Sequence, residues 1–202
     1  MRASLACLAA VAVLVACSKR DNTMTDSAAG GVGASSAAAS APPPAPPPST
    51  TMSDPNIVMK LATADSGEIK VAKLAQTRAA SAPVKAYARE LVTDHTSHVK
   101  ELAALKAKAS SSAEWKNAEQ SPAMDNSKQD AEQEYTTLQA IPKGLAFDTA
   151  FVNREVDDHQ KVLDELKSLQ PQNPDLKALV DKTIPVIQRH LDKAKDLQSK
   201  LK

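Results

Sequence analysis

Six side chains of types that bind metals or move protons fall at inward helical positions: Glu68, His95, His159 and His190 as candidate metal ligands, with Glu155 and His98 as further ligands or as partners that orient the imidazoles. Glu155 and His159 are four residues apart and His95 and His98 three apart, so each pair shares one face of an α-helix. Imidazoles and carboxylates together ligate transition metals, and equally they form buried hydrogen-bond networks. With two carboxylates against four imidazoles, the set is too rich in nitrogen for a di-iron carboxylate centre. It better suits zinc, copper or nickel. The alternative is a satisfied network that fixes helix register in a protein acting through its surface or its central connecting segment.

Other chemistries find no support. There is no strand-turn-helix serine motif, no phosphate loop and no His-Glu-x-x-His. Asp94 beside His95, and Asp157 and Asp158 beside His159, suggest acid-base pairs at first sight. Adjacent helical residues point in different directions, however, so these acids are expected in solvent.

Four long helices must carry these residues. Beyond Ser53 the chain is dominated by Ala, Leu, Lys, Glu, Asp and Gln, with only two glycines, and its prolines fall mostly at punctuation points. Ser53-Asp54-Pro55, Ser81-Ala82-Pro83 and Asn173-Pro174-Asp175 each offer a cap followed by proline in the first turn. The inward stripes follow at spacings of three and four. The first runs through Ile57, Leu61, Glu68, Val71 and Ala75. The second runs through Val84, Leu91, His95, His98 and Leu102, the third through Val152, Glu155, His159, Val162 and Leu166, and the fourth through Leu176, Val180, Ile187, His190 and Leu197. All four histidines of the chain lie on these stripes.

Between the second and third helices stand about 35 residues, Ser110 to Gly144, with Trp115 and a short helical pattern of Ala131, Tyr135 and Leu138 that stops at Pro142. The other two connections are tight, so the outer pairs are expected as antiparallel hairpins joined by a long crossover. An up-down-up-down bundle with an inserted loop is the alternative. Glu68 lies 14 residues before Ala82 and His95 13 after it, which places both ~20 Å from that turn. Glu155, His159 and His190 lie ~20 to 27 Å from the second turn by the same count. One polar layer near the middle, fed by all four helices, is the expectation. Gly67 in mid-helix suggests a close backbone approach, and Pro185, five residues before His190, is expected to kink the last helix.

From about Ile57 to Leu201 the chain resembles the domain-of-unknown-function family 4142, exported bacterial proteins regarded as ferritin-like. The carrying stretches are Ser66-Gly67-Glu68-Ile69, Val92-Thr93-Asp94-His95, Phe147-Asp148-Thr149-Ala150-Phe151, His159, and Ile184-Pro185 with His190-Leu191. The resemblance implies an all-α fold, a ferritin-like four-helix bundle with a long crossover between the second and third helices. It implies no particular reaction. Di-iron ferritin-like sites use Glu-x-x-His pairs on two helices. Here the residue three before His95, His159 and His190 is Val92, Val156 and Ile187 respectively, which makes iron the less suitable metal.

The N-terminus addresses the chain. Arg2 followed by the apolar Leu5 to Ala16 reads as a signal peptide over residues 1–16, too short to span a membrane. Leu14-Val15-Ala16-Cys17 resembles a bacterial lipoprotein signal, with Cys17 the lipidated residue; Cys7 leaves with the signal, so no thiol remains for catalysis or metal. Residues 17–53 are an Ala, Ser and Pro-rich tether, including Ala41-Pro-Pro-Pro-Ala-Pro-Pro-Pro48, and residues 54–202 are the bundle. Removing Arg2 from the 25 basic residues leaves 24 against 24 acidic ones. Such a balance, with only five aromatics, gives no footing for nucleic acid. The expectation is an exported protein anchored through Cys17 on the periplasmic face of a bacterial membrane, most simply the outer one, with an envelope-associated, non-catalytic role and room for a protein partner.

Overall fold

The computed structural model describes residues 52–116 and 122–201, and within residues 122–127 the backbone only. The expected signal peptide, Cys17 and the tether as far as residue 51 lie outside the described residues. Six helices are described: α1 Asp54–Arg78, α2 Ala82–Ala109, α3 Ala113–Lys116, α4 Pro122–Ala140, α5 Leu145–Ser168 and α6 Pro174–Lys200. All fall within one compact unit, Pro46–Lys202, and no described helix is long and apolar enough to cross a membrane.

The four long stripes become α1, α2, α5 and α6, of 25, 28, 24 and 27 residues. Cross-helix contacts fix their directions. Lys182 pairs with Glu101 at 2.7 Å and Lys193 with Glu90 at 2.5 Å, so α2 and α6 are antiparallel. Arg154 pairs with Glu68, and Asp148 reaches the backbone of Ala80 and Ser81, so α1 and α5 are antiparallel too. Since α1 and α2 form a hairpin, α2 and α5 run in the same direction. Consecutive helices can do so only through a long return, and α4 makes it. It lies along α1 in the same direction, with Glu132 beside Lys70 and Ile141 accepting from Arg78. The crossover is therefore a 19-residue helix, where the sequence suggested only a short helical pattern.

Two buried aspartates lock the hairpins together. Asp54, at the start of α1, accepts from the backbone of Gln172 and Asn173 at 2.9 and 2.6 Å. Asp148, in the first turn of α5, does the same for Ala80 and Ser81 at 2.9 and 2.8 Å. Each satisfies amides that a turn or helix start leaves without partners. Asn173 caps α6 as expected, accepting from Asp175 and Leu176, whereas the Ser53 and Ser81 side chains make no capping bond.

Gly67 does mark a close approach, and the approaching element is α4. A β-carbon built at Gly67 would stand 3.0 Å from that of Ala131. Pro185 sits inside α6, which remains one helix from Pro174 to Lys200. The apolar core divides into two clusters. One gathers Val71, Tyr87, Leu91, Phe147, Phe151 and Leu197. The other gathers Ile57, Leu61, Leu102, Leu163, Leu166 and Ile187. Along α1, α2 and α5 the polar residues stand between them.

Candidate metal centre

His95 from α2, His159 from α5 and His190 from α6 meet in the middle of the bundle. They are 5, 2 and 0 % exposed, and Glu155 beside them is 0 % exposed, so water screens none of them. The ring centroids stand 5.8 Å apart for His95 and His159, 5.4 Å for His95 and His190, and 5.3 Å for His159 and His190. One nitrogen from each ring falls in a cluster whose atoms all lie within 4.8 Å of one another. A second cluster with the same limit joins His159 to Glu68 and Glu155.

The outer nitrogen of each ring is occupied. His95 Nδ1 lies 2.7 Å from Asp65 Oδ1, His159 Nδ1 3.0 Å from the main-chain oxygen of Glu155, and His190 Nε2 2.9 Å from Asp94 Oδ2. A carbonyl or an ionised carboxylate can only accept, so the ring nitrogen donates in each case. That assignment fixes the tautomer of a neutral ring and leaves the opposite nitrogen with a bare lone pair. Those nitrogens, His95 Nε2, His159 Nε2 and His190 Nδ1, have no hydrogen-bond partner among the described residues; neither does Glu68 Oε2, and Glu155 Oε2 has only His159 Nδ1 near it, at 3.3 Å. With the rings neutral and the carboxyls ionised, the state a metal requires, the centre is a group of acceptors.

Arg154 holds the glutamates from the other side. It donates to Glu68 Oε1 at 3.0 Å and Glu155 Oε1 at 3.1 Å, and pairs with Glu134 on α4 and with Asp158 at 2.8 Å. Burial pushes the Glu68 carboxyl up, but the charges of Arg154, His159 and His95 outweigh it and bring it down to about 2. For Glu155, burial and the neighbouring Glu68 charge prevail and raise it to about 7. Burial lowers His190 to about 4 despite its bond to Asp94. His159 moves the other way, because its contacts with Glu155 and the charge of Glu68 overcome burial.

Five of the six residues singled out by spacing therefore come together, and His98 does not join them. Three residues beyond His95, it lies between α1 and α6, with Nδ1 2.8 Å from Asp65 Oδ2 on α1 and Nε2 3.1 Å from Thr183 Oγ1 on α6. Both its nitrogens are engaged, so it supports Asp65 rather than the centre. Asp94 and Asp158 also depart from the expectation of free solvation. Neither pairs with the histidine next to it in sequence, as helix geometry requires, but Asp94 meets His190 across the bundle and Asp158 meets Arg154. Asp65 lies four residues after Leu61 and three before Glu68 and is 5 % exposed, so spacing could have found it, whereas Asp94 and Arg154 each sit one residue before a stripe residue.

A family described as a domain of unknown function (DUF4142) matches residues 39–197, starting ahead of α1 and covering nearly all of the bundle. No curated protein and no solved structure matches the chain.

Proposed function

Given that the chain belongs to the DUF4142 family, whose description names no activity, we propose from the site itself that the protein binds one first-row transition-metal ion at His95, His159 and His190, with Glu155 and Glu68 completing the donor set. The observation that carries this reading is the convergence of three buried imidazoles on one ligand-sized cluster, which His159 joins to a second cluster with Glu68 and Glu155. A network that merely fixed register would alternate donors with acceptors. Neutral rings and ionised carboxyls gathered in this way are stabilised by an electron-poor ion among them, because unpartnered buried polar groups cost ~1–3 kcal/mol each.

The donor chemistry narrows the ion. Neutral imidazoles whose far nitrogens are held by Asp65, Asp94 and a backbone carbonyl are oriented and made more basic, as metal-ligating histidines generally are. Zinc, copper and nickel fit such a site, and iron fits it less well. The Arg154 charge on Glu68 and Glu155 argues against a second cation on the carboxylate side. The predicted lipid on Cys17 would hold this centre at the periplasmic face of the envelope, and that placement is part of the same proposal.

The test uses the full chain purified without a metal-binding tag. Elemental analysis should find close to one transition-metal ion per chain after exposure to zinc or copper and dialysis. H159A/H190A should retain its helical circular dichroism and lose the metal. An unchanged metal content in that variant, or none in the wild type, would end the reading.

A further inference from the structure

Next to the histidines lies a small cavity of about 30 Å³. Glu68, His95 and His159 form part of its wall, whereas His190 and Glu155 do not border it, so the cavity lies to one side of the donor set. The rest of its wall is largely the apolar Leu61, Val162, Leu166 and Ile187. Its volume has room for a molecule about the size of water. Protein sites that only brace a fold enclose their metal completely, whereas sites that act on something keep a coordination position open.

A path from solvent leads toward this space. Between α2 and α6 runs a groove of about 200 Å³ that shares His95, His98, Thr183 and Ile187 with the cavity wall. The hydrogen bond between His98 and Thr183, at 3.1 Å, joins the two helices where groove and cavity meet. His98 is thereby placed to close the route to the centre.

We propose that the cavity binds a neutral two-atom molecule beside the metal, admitted from the α2–α6 groove past His98 and Thr183; this rests on the metal reading above. Size sets the upper limit on the ligand, and the aliphatic wall favours a molecule of low polarity. Asp65, Glu68 and Asp158 all border the cavity and offset the attraction of the metal for a negative ligand.

The experiment loads the full chain with cobalt(II), a visible and paramagnetic reporter, and titrates it anaerobically with nitric oxide. Visible absorption should change to saturation at one nitric oxide per cobalt, with loss of the cobalt paramagnetic resonance signal. V162F, which fills the cavity without replacing a donor, should keep its cobalt by elemental analysis and bind nitric oxide at least tenfold more weakly. V162I, a gentler filling, should fall between. H98A, at full cobalt content, should speed the approach to saturation, and an unchanged rate would overturn the route past His98. Cobalt bound with no response to nitric oxide, or equal affinity in V162F and V162I at full cobalt content, would overturn the cavity proposal and leave the metal reading standing. A wild-type chain that takes up no cobalt removes both.

Discussion

Asp94 on α2 accepts the Nε2 proton of His190 on α6 at 2.9 Å, and this contact determines which nitrogen of a fully buried ring is bare. The same carboxylate takes an Arg189 hydrogen bond at 2.8 Å, which helps hold it ionised and in place. An asparagine there could present its amide nitrogen to the ring and move the proton to Nδ1, the nitrogen that faces the centre. D94N should therefore weaken metal binding by roughly 10–100-fold, as read by competition with a chromophoric chelator. The melting temperature of the metal-free protein should change little, because Asp94 is partly exposed. Equal affinity in D94N and wild type would show that His190 is not a ligand.

Metal affinity should rise with pH. The proton on His159 is held more tightly than in free imidazole, and the Glu155 carboxyl stands at about 7, so near neutrality both groups carry protons that a metal must displace. Below these values each displaced proton costs about tenfold in affinity per pH unit. A series at pH 6, 7 and 8 should show the steepest gain between the first two points, with proton release measurable by calorimetry in buffers of different ionisation enthalpy. A flat profile over this range would contradict the assignment of His159 and Glu155 as ligands.

In the metal-free protein Glu155 should oppose folding at high pH. Its carboxyl titrates at about 7 when folded and near 4.5 when unfolded, so between these values the folded state holds the extra proton. Stability is then greatest below 4.5 and declines as pH rises through 7. Glutamine carries no such proton. The stability of E155Q relative to wild type should increase by ~2–3 kcal/mol from pH 5 to pH 8, read by urea unfolding in the presence of chelator, while E155Q loses metal affinity. Parallel pH profiles would mean that Arg154 keeps Glu155 ionised throughout.

The four bundle helices and their polar layer were legible because both follow from spacing. An amphipathic helix repeats its inward face every three to four residues, and Glu68, His95, Glu155, His159 and His190 interrupt otherwise apolar stripes. Spacing says nothing about rotation within a stripe. His98 satisfied the same periodicity as His95, yet its ring turns to Thr183 and Asp65. Of the supporting residues, Asp65 repeats the inward spacing of Leu61 and Glu68 and could have been read, whereas Asp94 and Arg154 act across helices from positions beside a stripe. The length of α4 escaped for a different reason. Its sequence is polar, with Leu138 as its one fully buried hydrophobic side chain among the described residues, so its apolar face is too narrow to show as a stripe.

Gly67 gives the sharpest test of how α4 is held. Alanine is preferred over glycine inside a helix by about 1 kcal/mol, so on propensity alone G67A would stabilise α1. A β-carbon at this position would meet Ala131 at 3.0 Å, well inside the ~3.5–4.0 Å of ordinary carbon contact. Overpacking of that kind costs roughly 1–3 kcal/mol, so G67A should fall between neutral and mildly destabilising. G67L cannot be absorbed by a few tenths of an ångström and should push α4 away from α1. Lys70 would then lose Glu132 and Tyr135, and Arg154 would lose Glu134. Hydrogen exchange should show the backbone of residues 128–140 losing protection in G67L while α2 and α6 keep theirs. The pairing of G67A with A131G should recover stability close to that of wild type, because the double variant relieves the contact and the helical gain in α1 offsets the glycine moved to α4. Uniform loss of protection over all the helices in G67L would instead place α4 within the cooperative core of the bundle.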